Sequence, residues 1–400
     1  MLRVVLAVVI GLVAVCLWGC PKPATEMGPF KPQAAKDYGK PLPPGALALR
    51  KISPEDYPDF GLGFDNLAGL GQAIQNSLAY LAKPSSKKYF PYGDVSHEWA
   101  VVSLQRFLEL IHSVRSPQEL NQAIRDQFDV YQSVGCDDRG TVFFTGYYTP
   151  IFDGRRQRDA LYRYPLYGFP PDLIKDAEGN ILGRRRPDGG TDPTYPTRRE
   201  IEQGHLLDGL EVAWVKDPFE AYVITVQGSA KLRQADGSLY EIGYAANNGH
   251  EYTPIAEAMI QDGVMRRDEL SLQTLLRYFA QHKDQVYHYA WRNDRYVFFK
   301  EAPGGPFGSL GQPVTPFRSI ATDKQVFPRA CLAYVTTTMP TNYTSTAQGP
   351  YFSFACDQDT GGAIRAAGRT DIFMGVGPMA EAIAGRTGAE GALYYVFVKQ

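Results

Sequence analysis

The chain has 400 residues, 44% of them hydrophobic and 12% aromatic, enough to bury a sizeable core in two domains. A formal net charge of −2 and the lack of a long basic run exclude the electrostatic footprint of a nucleic-acid binder. Its 29 prolines, 39 glycines and 25 tyrosines favour a β-rich, loop-rich protein over a helical bundle.

Residues 1–19 carry one charge, Arg3, ahead of an apolar run from Val4 to Trp18. The run is short for a membrane span and reads as a signal peptide. Leu17-Trp18-Gly19-Cys20 resembles a bacterial lipobox, with cleavage before Cys20 and lipid on its thiol. Pro21 follows rather than an aspartate, so the expected location is the periplasmic face of the outer membrane of a diderm bacterium, with Cys20 in contact with its lipid. Residues 20–60 then read as an extended tether. Of the five cysteines, Cys136, Cys331 and Cys356 remain in the body of the protein. In an oxidising compartment Cys331 and Cys356, both on candidate strands, are the expected disulfide pair. There is no C-x-x-C and no H-E-x-x-H, so neither a metal site nor a cofactor is expected.

Apolar residues at spacings of three and four predict helices over 62–82 and 97–114. A third begins at Ser116-Pro117-Gln118-Glu119, a capping box with proline at its first position, and turns Leu120, Ile124 and Phe128 inward. From Thr141 the pattern changes. Strands are predicted at 142–148, 212–215, 222–226, 239–244 and 296–299, with an Arg, Gly and Pro loop at 184–199 expected to face solvent. Helices are predicted at 254–261 and 272–281. Segments 319–323, 331–336, 350–356 and 392–398 complete the strands. The order predicts an α+β, mainly β protein. A β domain at 148–295 is inserted into a host formed by 61–147 and 296–400, with a ligand cleft between them.

The densest candidate chemistry is Asp359-Thr360-Gly361-Gly362-Ala363-Ile364, followed by Asp371-Ile372-Phe373-Met374-Gly375-Val376-Gly377. Glycines let backbone approach a ligand closely. An Asp-x-Gly step is often only a turn, whereas Asp371, flanked by strand formers, must find a partner or stay exposed. Asp359-Thr360-Gly361 is also the tripeptide of pepsin-like proteases, but that chemistry needs a second copy and none occurs. A G-x-S-x-G elbow is absent too, so a nucleophilic serine has no support. Val226-Gln227-Gly228-Ser229, Asn247-Asn248-Gly249-His250 and the Tyr147-Tyr148 pair each read as capping loop or core when taken singly. As a set, their amides, hydroxyls and rings suit an uncharged, polyhydroxylated ligand.

Phe144-Thr145-Gly146-Tyr147-Tyr148-Thr149-Pro150, Val226-Gln227-Gly228-Ser229, Asn248-Gly249-His250, Arg318-Ser319-Ile320-Ala321-Thr322-Asp323 and the Asp359…Asp371…Gly377 stretch resemble, in order, the membrane-bound lytic murein transglycosylase A family. The last two resemble its three-aspartate domain. The resemblance implies a double-psi β-barrel facing the inserted β domain, itself barrel-like, across a groove for a peptidoglycan glycan strand. It implies Asp371 as the single catalytic acid/base and Asp323 and Asp359 as supporting carboxylates. Tyr147, Tyr148, Thr149, Gln227, Gly228, Ser229, Asn248, Gly249, His250, Gly361, Gly362, Gly375 and Gly377 would then line the substrate. The implied reaction cuts the bond between N-acetylmuramic acid and N-acetylglucosamine and leaves 1,6-anhydromuramic ends. Murein synthesis or remodelling complexes are the implied protein partners. Two alternatives stand beside it: a murein-binding lipoprotein without catalysis, and a muramidase that uses two carboxylates.

Overall fold

The structure is a computed structural model that describes residues 36–176, 179–266, 269–345 and 347–400. The signal peptide, Cys20 and the first part of the tether lie outside the described residues. In chain order the host lobe begins with β1 (Leu49–Lys51), α1 (Leu70–Leu81), α2 (His97–Ser113), α3 (Pro117–Gln127), β2 (Phe128–Ser133) and β3 (Val142–Thr149). The insert follows with β4 (Ile151–Arg155), β5 (Tyr164–Tyr167), β6 (Leu173–Lys175), β7 (Ile181–Arg185), β8 (Thr191–Asp192), α4 (Arg198–Gly204), β9 (Glu211–Val215), α5 (Pro218–Gln227), β10 (Ser229–Arg233) and β11 (Leu239–Asn247). It ends with α6 (Ile255–Gln261), α7 (Leu272–Gln281), α8 (Val286–Ala290) and β12 (Val297–Glu301). The host resumes with β13 (Ser319–Ala321), β14 (Leu332–Pro340), β15 (Gln348–Asp359), β16 (Arg369–Val376), α9 (Pro378–Ala384) and β17 (Gly388–Val398).

In the host, strands run β17-β14-β15-β13-β16-β3, and β3 pairs back onto β17, closing a six-stranded ring. That closure agrees with the barrel the sequence implied. β17 serves both seams: Gly388–Gly391 pairs with β3, while residues 394–398 pair with β2. Alternation sends Phe144, Tyr148, Ile372 and Met374 into the core, where they meet Leu393 and Tyr395. The helices cap this core. Gln358 at the end of β15 donates to the Ala73 carbonyl and Ser77 hydroxyl of α1, and Trp99 of α2 donates to the Val398 carbonyl.

The insert holds a second six-stranded sheet, β12-β11-β10-β4-β9-β5, whose two edges are bridged by Gly168 and Phe299. β12 belongs to this sheet, so the insert's strands run to Glu301 rather than stopping at residue 295. β6, β7 and β8 form a separate small sheet.

Several expectations need correction. The predicted strand at 222–226 is helix α5: Asp217 caps it by accepting from the Phe219 N–H, Pro218 opens it, and Gly228 closes it at φ +76°. The first predicted helix is a short 3-10 turn at Phe60–Asn66 and then α1, with Gly69 at φ +80° between them. Phe128 faces the core as expected, but as the first residue of β2. Cys331 and Cys356 are free and buried rather than disulfide-bonded. Register explains it: Leu332 is the residue opposite Cys356, so Cys331, one position earlier, projects from the other face. The Arg-rich loop is only partly solvent-facing. Arg184 pairs with Asp172, and Arg198 is buried, donating to Thr225, the carbonyls of Asn293 and Arg295, and Glu202.

Candidate active site

One row of residues runs across the barrel wall. Thr145 on β3 lies opposite Asp371 on β16, Asp371 opposite Ala321 on β13, and Ala321 opposite Asp359 at the end of β15. Directly opposed residues share a face, so Thr145, Asp371 and Asp359 project together. The buried Ala321, with only a methyl side chain, stands between the two carboxylates. Two strand spacings separate their Cα atoms by about 10 Å. Two residues further along, Tyr147 and Phe373 continue the same face, with ring centroids 5.2 Å apart.

The carboxylates differ in what they hold. Asp359 accepts from the Tyr147 hydroxyl at 2.8 Å and from the Ser309 and Thr360 N–H groups, each at 2.8 Å. Burial still raises its pKa against those donors. Asp371 keeps Oδ1 without a hydrogen-bond partner. Burial drives its pKa up to about 6; Arg369 and the Thr145 hydroxyl pull it down, and the charge of Asp359 adds a smaller upward push. Both residues are half-buried, and the Asp371 Oδ1 atom itself is covered by its neighbours.

The surroundings are charged and shared between lobes. Arg369, two positions before Asp371, has a buried Nε without a partner and stands over the Phe143 ring. Tyr252 of the insert is close enough to Arg369 to feel its charge. Arg365 approaches Glu251 at 3.9 Å, and a Cβ on Gly362 would meet the Arg295 guanidinium at 2.9 Å. Beneath Asp359 lies a buried network. Lys324 pairs with Asp357, which also accepts from Thr322 and Tyr395, each at 2.7 Å. The Lys324 charge favours ionised Asp359.

Two family models match the chain: the MltA specific insert domain over residues 143–300 and the 3D domain over residues 318–397. The chain belongs to the membrane-bound lytic murein transglycosylase A family. It is 30% identical over 256 residues to the membrane-bound lytic murein transglycosylase A of Escherichia coli K12, a match covering 63% of this chain and 64% of that relative, a little under two thirds of its length. The Vibrio cholerae relative of the same name is likewise 30% identical over 256 residues, with the same coverage. A membrane-bound lytic murein transglycosylase from Agrobacterium tumefaciens has a similar solved structure, at TM-score 0.72 and 27% identity over 88% of this chain and 98% of that one. The fold is also that of E. coli MltA with bound chitohexaose, at TM-score 0.67 and 23% identity over 92% and 97% of the two chains.

Within this family fold the anticipated residues divide into groups. Asp359, Asp371 and Tyr147 share one face of the barrel wall. Asp323 is buried beside them and accepts from the Ala366 and Gln325 N–H groups, so it pins the turn in which Ala366 takes φ +61°. Thr149 and Ser229 share a hydroxyl contact of 3.0 Å, and Gln227 accepts from the Tyr148 N–H, tying α5 and β10 to β3. Gly361 and Gly362 lie in the turn after Asp359, and Gly375 and Gly377, at φ +112° and +82°, turn β16 into α9. Gly249 sits against Ile181, and the His250 ring meets the Tyr195 carbonyl at 2.7 Å. Tyr148 and Asn248 offer no surface to a ligand. Tyr148 points inward to Glu381, and the Asn248 amide is consumed by Pro196, Asp294 and Tyr296. Thr145, Arg369, Lys324, Asp357, Tyr252 and Arg295 were not anticipated. Two of them had a signal: Thr145 and Arg369 precede Tyr147 and Asp371 by two positions, and alternate strand residues share a face.

Proposed function

We propose that this chain is a lytic transglycosylase that cleaves the β-1,4 bond between N-acetylmuramic acid and N-acetylglucosamine in peptidoglycan, with Asp371 as its single acid/base. The observation that carries this reading is the contrast between the two carboxylates. Asp371 has an unengaged oxygen and a pKa raised to about 6, whereas Asp359 already accepts from three donors. A raised pKa suits a general acid working near neutrality.

Protonated Asp371 gives its proton to the glycosidic oxygen as the bond to C1 breaks. The C6 hydroxyl oxygen of the muramic residue bonds to C1, and the Asp371 carboxylate takes the hydroxyl proton. No water is consumed and the carboxyl group is regenerated. A second protein carboxylate is unnecessary because a well-placed intramolecular hydroxyl acts at an effective concentration of about 10⁵ M or more. Asp359, in its ionised form, would favour the positive charge that develops at the anomeric centre. The Tyr147 ring supplies a flat surface with a polar edge for a pyranose. Lipid on Cys20 would hold the enzyme at the inner face of the outer membrane, in reach of its polymer.

The projection of Asp359 and Asp371 from one face also favours a second reading, a two-carboxylate muramidase. Digestion of purified murein followed by mass measurement separates the readings. Anhydro-muropeptides are expected; products heavier by one water would assign the muramidase, and binding without release would leave a murein tether. Asp371→Asn is expected to abolish release while keeping strand binding.

A further inference from the structure

The insert contains a cavity of about 420 Å³ whose lining includes neither carboxylate of the barrel row. Its position follows from the β5–β9 pair. Leu166, Ala213 and Val215 face the insert core, while Pro165 with Trp214, and Tyr167 with Glu211, are opposed pairs that both border the cavity. Tyr222 of α5 and Tyr287 of α8 close it from the side. The volume falls in the range of small-ligand sites.

Charge is segregated along this floor. At one end Arg158 stands over the Trp214 ring at 5.9 Å, and the Arg163 N–H bonds to Val215. Neither guanidinium has a carboxylate within salt-bridge distance among the described residues. At the other end Glu211 lies opposite Tyr167, and Asp208 accepts weakly from the Tyr167 hydroxyl at 3.5 Å and has the exposed His205 ring 3.5 Å away. From Arg163 to Tyr167 is four residues of near-extended chain, about 13 Å. An extended peptide of about four residues spans the same length. A neutral sugar would need neither charged end.

We propose that this cavity binds a short zwitterionic peptide, its carboxylate at Arg158 and Arg163 and its ammonium at Glu211 and Asp208. The chemistry is that of a peptidoglycan stem with a free terminal carboxylate and a free side-chain amine. The assignment of a stem as the source rests on the proposed murein substrate; the charge and length requirements do not. The cavity also backs onto the catalytic face. Tyr222 on its wall shares a hydrogen bond with Tyr252, which neighbours Arg369. Occupancy by a stem would therefore mark strands that still carry peptides.

The test is calorimetric titration of the full chain with a synthetic tetrapeptide bearing a free C-terminal carboxylate and a side-chain amine. Saturable binding is expected. Amidation of the terminus, or the exposed double change Arg158→Gln/Arg163→Gln, should weaken it at least tenfold. Acetylation of the amine, or Glu211→Gln, should weaken it comparably. Binding indifferent to all four changes, absence of binding, or displacement of the peptide by a peptide-free chito-oligosaccharide would overturn the assignment. Because no glycosidic bond is involved, this result is independent of whether murein digestion yields anhydro products.

Discussion

In the proposed reaction Asp371 must carry its proton to act, and this gives the direction of the expected pH dependence. With a pKa near 6, kcat/KM is expected to fall about tenfold per pH unit once pH exceeds that value. Linkage gives a second consequence in the same direction. A folded-state pKa above the unfolded value of about 3.9 means that the native state holds a proton the unfolded chain has released. The stabilisation is complete below pH of about 3.9 and is lost as pH rises through about 6. Asp371→Asn should therefore unfold at higher denaturant concentration than the wild type at pH 8, by about 1–3 kcal/mol, with the difference vanishing near pH 3.5. An equal gain at both pH values would mean that the carboxylate is not the source. Tyr147→Phe has the reverse signature. It keeps the ring against Phe373 but removes the hydroxyl that donates to Asp359. A hydrogen bond to a charged group contributes about 1.5–3 kcal/mol. The loss should appear in denaturant curves above the Asp359 pKa and shrink as that group is protonated.

At the scale of elements, legibility followed local signals. The spacing of Val101, Leu104 and Leu108, and the Ser116 cap whose hydroxyl accepts from the Glu119 N–H, are local signals that define α2 and α3 without tertiary contacts. The α5 helix was misread because its middle, Tyr222 to Val226, is rich in β-branched and aromatic residues. Phe219, Tyr222, Val223, Ile224 and Thr225 are all buried, so no polar stripe betrays the helical period. The signals that decide it are terminal: Asp217-Pro218 at the start and Gly228 at the end. Gly228 can be tested directly. A Cβ there would meet nothing within 4 Å, so Gly228→Ala isolates the cost of φ +76°. A loss of about 1–2 kcal/mol is expected; no loss in thermal or denaturant unfolding would mean the left-handed cap is dispensable. At the site, the aspartate motif was legible because its members are close in sequence. The Lys324–Asp357 pair was not, since its partners are 33 residues apart and only the packing of β13 against β15 joins them.

The described residues form two large sheets and one small one on a single chain, threaded in an order that matters. The barrel closes only when β3, before the insert, meets β16 and β17, after it. The insert's main sheet pairs only strands within residues 151–301. Its centre is Arg198, whose guanidinium lies between the rings of Tyr222 and Tyr296, at 4.9 and 5.0 Å, and pairs with Glu202. Removing one partner of a buried, hydrogen-bonded ion pair costs about 3–5 kcal/mol, because the other charge is left unpaired. Burial already works against the Glu202 charge. Arg198→Met should therefore destabilise the insert, and hydrogen exchange can locate the damage. Accelerated exchange is expected in α4, α5, β11 and β12, with the amides of β14, β15 and β17 keeping their protection because their partners all lie in the barrel. Uniform acceleration along the chain would show that the lobes unfold as one cooperative unit. Under local unfolding the variant should also lose turnover, since Tyr252 and Arg295 reach the Asp371 face from the insert, while the barrel keeps its own fold.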